Sequence, residues 1–368
     1  NAVAETGTSC RRSLRRRAVT MISSNPRCSL TPEGPAGRGG GPYYTAGDND
    51  TLTNALRSIV AEVAIQSTSF TSPTISVNAF NRPRNLNDLF ITMFQSANRS
   101  HWPGNLKKYR LRDTGEIVGD NGAAVVNPST GFFREDAMRF WGDGTTPDGA
   151  NVRAGGAAMR LPAPDSRNVY TDFVVGELTA AENLLGDANA SITLDLMGGN
   201  PAAYATDEER AAARTDMINW VRGMDVDDVV GDDPSQPSSG NGNRTESRKM
   251  MGDPLHAQPV SVIYGGTPSN PDIDDGVIYV ATNDGYLHAV DPDTGDELWT
   301  FVPSELLGRM KTLREDPTVL YKGYGLDGNL RAYKLDKNND GVIDPDDGDR
   351  AYLLFGMARG GSTYYGLD

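Results

Sequence analysis

The chain has 368 residues, of which 38% are hydrophobic, enough for two or three domains and a substantial core. Its net charge of −14 argues against nucleic acid as the main partner. It contains no run of 18 or more apolar residues, so no membrane-spanning helix is expected.

Residues 1–49 read as a basic loop and connector, the remnant of an upstream domain. Arg11, Arg12, Arg15, Arg16 and Arg17 cluster there, bracketed by the only two cysteines, Cys10 and Cys28. Such a cluster is more often a solvated loop than a polyanion site. A Cys10–Cys28 disulfide would close a short loop, contribute on the order of 3 kcal/mol, and place the chain in an oxidising compartment such as a periplasm or cell surface. The chain starts at Asn1 with neither initiator Met nor signal peptide, and it reads as a mature form or an excised piece.

Residues 50–224 read as a mixed helix and strand region. Leu52, Leu56, Ile59, Val60 and Val63 share one face of a helix starting near Asp50. Strand signals follow at Thr74–Phe80, Leu89–Gln95, Asn105–Leu111 and Glu116–Val118, with Asp113-Thr114-Gly115 as a turn. Thr206-Asp207-Glu208-Glu209 spells a capping box, opening a helix that runs past Met217, Ile218 and Trp220 to a C-terminal Gly223. Residues 225–249 form an acidic, then Ser/Gly-rich linker. Its five acids between Asp225 and Asp233 lack the alternation of a cation loop, and solvated linker is the favoured reading over a second cation site.

From residue 250 the pattern turns to short strands with a repeat. Gly276–Asp291 is a strand, an Asn-Asp-Gly turn and a second strand; Asp293-Thr294-Gly295 then leads into Glu297–Phe301. A second unit begins at Val319–Tyr321, and its Asp327-Gly328 turn lies 43 residues after Asp284-Gly285. That period predicts a β-propeller, of which residues 250–368 supply the first blades. The expected fold class is mainly β, a partial propeller at the C-terminal end preceded by a mixed α+β segment.

The densest chemical signal is residues 336–347. Asp336, Asn338, Asp340 and Asp344 occupy positions 1, 3, 5 and 9 of a twelve-residue calcium loop; Gly341 stands at position 6 and Asp347 at position 12. The Val342 carbonyl would complete the ring at position 7. Five carboxylates this close repel one another unless a cation joins them. Asp instead of Glu at position 12 and strand-like flanks argue against a helix-opening EF-hand. The ion is expected to fix the tip of a β-hairpin, at the place of the simpler turn Asp291–Asp296 in the preceding unit.

Met251-Gly-Asp-Pro-Leu-His256-Ala-Gln-Pro-Val260, Tyr279–Asp291, Leu298-Trp299 and Phe301-Val-Pro-Ser304 resemble the PilY/PilC family of type IV pilus tip proteins. Trp102-Pro-Gly-Asn-Leu-Lys-Lys-Tyr109, Trp141, Gly155-Gly156 and Tyr170-Thr171 match the segment preceding the propeller in that family. The resemblance covers residues 43–368. It implies a calcium-dependent propeller at the pilus tip or bacterial cell surface, acting in pilus assembly, retraction control and adhesion. Minor pilins are the implied partners, with host or abiotic surfaces as ligands. The family's calcium pattern carries over to Asp336, Asn338, Asp340, Val342 and Asp344; Asp347 rests on loop spacing alone. An upstream von Willebrand A-type domain is usual in the family, but no Asp-x-Ser-x-Ser pentapeptide occurs here, since Asp233–Pro237 fails at its last position. The helix at 50–65 resembles that domain's closing helix, and the chain reads as an internal fragment.

Two rival readings share these motifs: a quinoprotein dehydrogenase with a quinone cofactor, and a calcium-stiffened extracellular propeller unrelated to pili. The first is disfavoured by the hairpin-tip position of the loop and by the lack of an adjacent cysteine pair. His101, His256 and His288 show no triad or metal spacing, and no enzyme activity is expected.

Overall fold

The computed structural model describes residues 69–77, 85–129, 131–142, 144–228, 242–267 and 270–368. The basic cluster, the Cys10–Cys28 pair, the helix at 50–65 and most of the linker's acidic and Ser/Gly run lie outside the described residues. Thr68–Asp368 forms one compact unit.

The first sheet is built by β1 (Ser69–Val77), β2 (Asn85–Gln95), β3 (Pro103–Leu111) and β4 (Ile117–Val118), paired in that order and antiparallel. Alternation along β2 sends its side chains to two cores. Phe90 packs with Leu106, Trp141, Ile278 and Val280, whereas Leu89, Ile91 and Met93 pack with Tyr109 and Val125. Burial on both faces explains why β2 reads as a near-continuous apolar run.

A short strand, β5 (Val169–Tyr170), and the helix α1 (Asp207–Val221) follow. The helix begins as its sequence dictates: Thr206 accepts from the Glu209 amide at 3.1 Å and Glu209 reaches back to the Thr206 amide at 3.2 Å. Gly223, at φ 94°, supplies the left-handed residue after its end. Met217, Ile218 and Val221 are buried with Tyr286, Val302 and Met310.

The second sheet contains β7 (Val260–Thr267), β8 (Asn270–Ala281), β9 (Leu287–Val290) and β10 (Glu297–Phe301), an antiparallel up-and-down meander. β5 joins its far edge in parallel, Thr300 beside Val169. β6 (Met251–Gly252) instead joins the first sheet beside β3. Two pairings therefore cross the 225–249 linker.

The third sheet is β11 (Arg331–Leu335), β12 (Arg350–Gly356) and β13 (Tyr364–Leu367), again antiparallel. The second sheet lies between the other two. Ile278, Val280 and Val290 face the first sheet, and Tyr279, Ala281, Leu287 and Phe301 face Leu353 and Phe355 of the third. The mainly β class is as expected, and the described residues close into neither a barrel nor a ring of blades.

Val319–Tyr321, where the second repeat unit begins in the sequence, forms no strand. Asp316 adopts a left-handed conformation and Pro317 offers no amide to a ladder. Only Thr318 makes a bridge, to Arg99, while Leu320 and Tyr321 stand in solvent at 94% and 88% exposure.

Candidate metal loop

The acidic run connects β11 to β12, whose ladder closes with Leu335 opposite Arg350. It is thus the tip of a hairpin, and β11 and β12 set the separation of its two ends. The matching connection of the second sheet, β9 to β10, is the short turn Asp291–Asp296, held by the Asp291 amide on the Asp296 carbonyl at 2.9 Å.

The first half of the loop turns as its sequence requires. Asn339 is left-handed at φ 59° and Gly341 has φ 91°; Asn and Gly are the residues that tolerate this region best. Asp336, at position 1, accepts from the amides of Asn339 (2.7 Å) and Gly341 (2.9 Å), folding the chain around its own carboxylate. Asn338 Oδ1 accepts from the Asp340 amide and Asp340 Oδ1 from the Val342 amide, at 3.0 and 2.8 Å. The Asp344 carboxylate accepts from the Asp346 amide at 2.9 Å and caps a short 3-10 turn, Pro345–Asp347. Ile343, apolar and buried, donates its amide to the Tyr264 carbonyl of β7 at 2.8 Å and anchors the loop to the second sheet.

Three of the expected ligands converge. Asn338 Nδ2 donates to Asp340 Oδ2 at 3.0 Å and to Asp347 Oδ2 at 3.1 Å. Two carboxylates seven positions apart in the chain, two and nine residues after Asn338, thus meet at its one amide nitrogen, which donates a hydrogen bond to each. Asp336 and Asp344 are turned to backbone amides, and Val342 contacts the set through its amide, which donates to Asp340. Among the described residues, no group of three or more Asp, Glu, His or Cys side chains is gathered closely enough to hold a metal as the side chains stand. The donor chemistry nevertheless suits a hard cation: every side chain of the set offers oxygen, and the loop offers no sulfur or imidazole.

Asp349, two residues past the twelve-residue frame, is part of this arrangement and was not singled out from sequence. It is fully buried, whereas of the loop's other acids only Asp336 is buried and Asp340, Asp344, Asp346 and Asp347 are exposed. Its Oδ1 accepts from the Lys337 amide at 2.9 Å and its Oδ2 from the Asp344 amide at 3.1 Å. These amides, Lys337 first, hold its carboxyl below the usual carboxylate range. Burial pushes the Lys334 ammonium down to about 8, against the pull of Asp336.

The three histidines are engaged elsewhere. His101 Nδ1 meets Asp284 at 2.6 Å, His256 Nδ1 meets Asp327 at 2.7 Å, and His288 Nδ1 meets Glu297 at 2.7 Å. His288 lies in the core, on strand β9. No helix among the described residues is long and apolar enough to cross a membrane.

No protein-family profile and no solved structure matches the chain. Two curated proteins are similar to it. The type IV pilus biogenesis factor PilY1 of Pseudomonas aeruginosa (strain UCBPP-PA14) is 22% identical, with 89% of this chain covered. The PilY1 homolog of Xylella fastidiosa (strain Temecula1) is 27% identical, with 71% of this chain covered. The matched part spans only 25% and 22% of the length of these relatives. The resemblance read from the motifs is thus present along most of the chain, which is similar to the PilY1 type IV pilus biogenesis factors.

Proposed function

We propose that this chain is part of a calcium-binding type IV pilus biogenesis protein, working outside the cytoplasm in pilus assembly, retraction control and surface adhesion. The likeness to two PilY1 proteins over most of the chain carries this reading. Minor pilins at the pilus tip are its partners, and exposed loops meet host or abiotic surfaces. The four-stranded meander and the hairpin sheet packed on it support the first blades of a propeller. A Cys10–Cys28 disulfide belongs to the same extracytoplasmic reading.

Calcium would be held by Asp336, Asn338, Asp340, the Val342 carbonyl, Asp344 and Asp347. Bound there, it would neutralise the converging carboxylates and stiffen the hairpin tip. The chain's own part is to place these oxygens: β11 and β12 fix the loop ends, Asp336 and Gly341 set the sharp turn, and Ile343 ties the tip to β7. The proposed role is non-catalytic: the similar proteins are named as pilus biogenesis factors, and the loop is the tip of a hairpin.

Asp340→Ala tests the reading, since it removes a carboxylate at the point of convergence, far from the blade core. Calcorimetric titration of the purified chain with calcium should show one site in the wild type and none in the variant, with the fold retained. Cells carrying the change in the full-length protein should have altered surface pili, twitching motility or attachment. Normal pili and movement despite loss of the ion would reject the role of calcium in pilus function. Quinone-dependent oxidoreductase activity would favour the dehydrogenase reading instead.

A further inference from the structure

Asp349 stands out because its burial contradicts its surroundings. Asp340, Asp344, Asp346 and Asp347 are exposed, as charges on a hairpin tip should be, whereas Asp349 has no exposed surface. A buried carboxylate is costly unless its oxygens are satisfied, and both of its oxygens go to backbone amides of the loop itself. One amide belongs to Lys337, directly after the first residue of the ligand frame; the other belongs to Asp344, the ninth. The Asp349 amide in turn donates to the Asp344 carbonyl at 3.1 Å. The left-handed Gly348, at φ 80°, makes the turn that brings Asp349 back under the loop. The 3-10 turn just before it, Pro345–Asp347, leaves Asp347 Oδ2 3.1 Å from Asn338 Nδ2.

We infer that Asp349 is a positioning residue for the cation: a clasp that ties the two ends of the loop together and so places Asp344 and Asp347 before the ion arrives. The inference rests on the calcium reading given above. Pre-ordering of this kind lowers the ordering cost at binding and tightens affinity without adding a ligand. A carboxylate is required for it. An Asn at this position keeps one acceptor oxygen but turns a donor NH2 toward the second amide.

The test compares Asp349→Asn with Asp346→Asn, which removes the same charge from the same turn at an exposed position. Calcium affinity of the full chain is measured by calorimetry, with magnesium as a second probe, and thermal melts are recorded in chelator. Asp349→Asn should weaken calcium binding at least tenfold with its calcium-free melt retained, and Asp346→Asn should weaken it less than threefold. Equal losses in the two variants would reduce the effect to net charge and overturn the clasp; so would wild-type affinity in Asp349→Asn. A wild type that binds no calcium would overturn the metal reading itself. Hydrogen exchange on the metal-free wild type covers the case of a variant that does not fold. The Lys337 and Asp344 amides should be protected like those of β11 and β12, and exchange at open-loop rates would refute the clasp.

Discussion

Glu297 shows how much one buried carboxylate can carry. Arg167 grips it with two nitrogens, at 2.6 and 2.9 Å, while His288 and the Thr300 hydroxyl reach its Oε2 at 2.7 and 3.0 Å. Burial alone would raise its pKa, but the Arg167 charge and the hydrogen bonds outweigh it and hold the carboxyl far below 4.5. A folded-state pKa below the unfolded value adds stability at neutral pH that is lost as pH falls through the acid range. Arg167→Ala strands the buried charge and should cost about 3–5 kcal/mol in urea unfolding at pH 7. The gap to wild type should narrow below pH 4.5, because the unfolded wild type then takes up a proton that its folded form resists. A gap that stays constant down to pH 3 would show that Arg167 acts through packing alone. From the sequence Glu297 is only an acid at a strand start, because its partner lies 130 residues upstream.

Elements were legible to the degree that their causes are local. The capping box of α1 needs four consecutive residues, and the helix starts where they place it. Thr206→Ala should remove the hydroxyl acceptor and lower stability by about 1 kcal/mol, whereas Thr206→Ser should be near neutral; denaturant midpoints of the two variants measure the difference. β2, β3 and the hairpins of the second and third sheets were readable for the same reason, since apolar runs and Asp-Gly turns sit within a few residues of each other. β5 and β6 were not, because a two-residue strand has no period and takes its conformation from a distant partner. Val319–Tyr321 shows the converse: Val319 donates its amide to the Asn98 carbonyl at 3.0 Å, yet the triplet extends into no ladder and Leu320 and Tyr321 stay in solvent. In the acidic loop, position revealed the hairpin setting, whereas the ligand frame proposed above rests on spacing. The clasp by Asp349 stayed hidden because it depends on the path of the backbone after Gly348.

At the scale of the molecule, the second sheet couples everything that packs on it. Phe301 of β10 meets Phe355 and Tyr365 of the third sheet with ring centroids 6.1 and 5.9 Å apart, and Phe355 stacks on Tyr365 at 5.4 Å. The Ile343–Tyr264 bond adds a second tie at the loop. The third sheet buries Leu353 and Phe355 against the second, so it draws stability from this shared core. Phe355→Ala should therefore cost about 3–5 kcal/mol and weaken both sheets together. Native-state hydrogen exchange in low denaturant should show the amides of β9, β10 and β12 opening with one free energy in the wild type and falling by the same amount in the variant. Calcium at one hundred times its dissociation constant should raise that shared free energy by about 2.7 kcal/mol, although the loop is tied to β7, β11 and β12. Protection that rises in β11 and β12 while β9 and β10 stay unchanged would show that the loop stiffens its own hairpin and nothing beyond it.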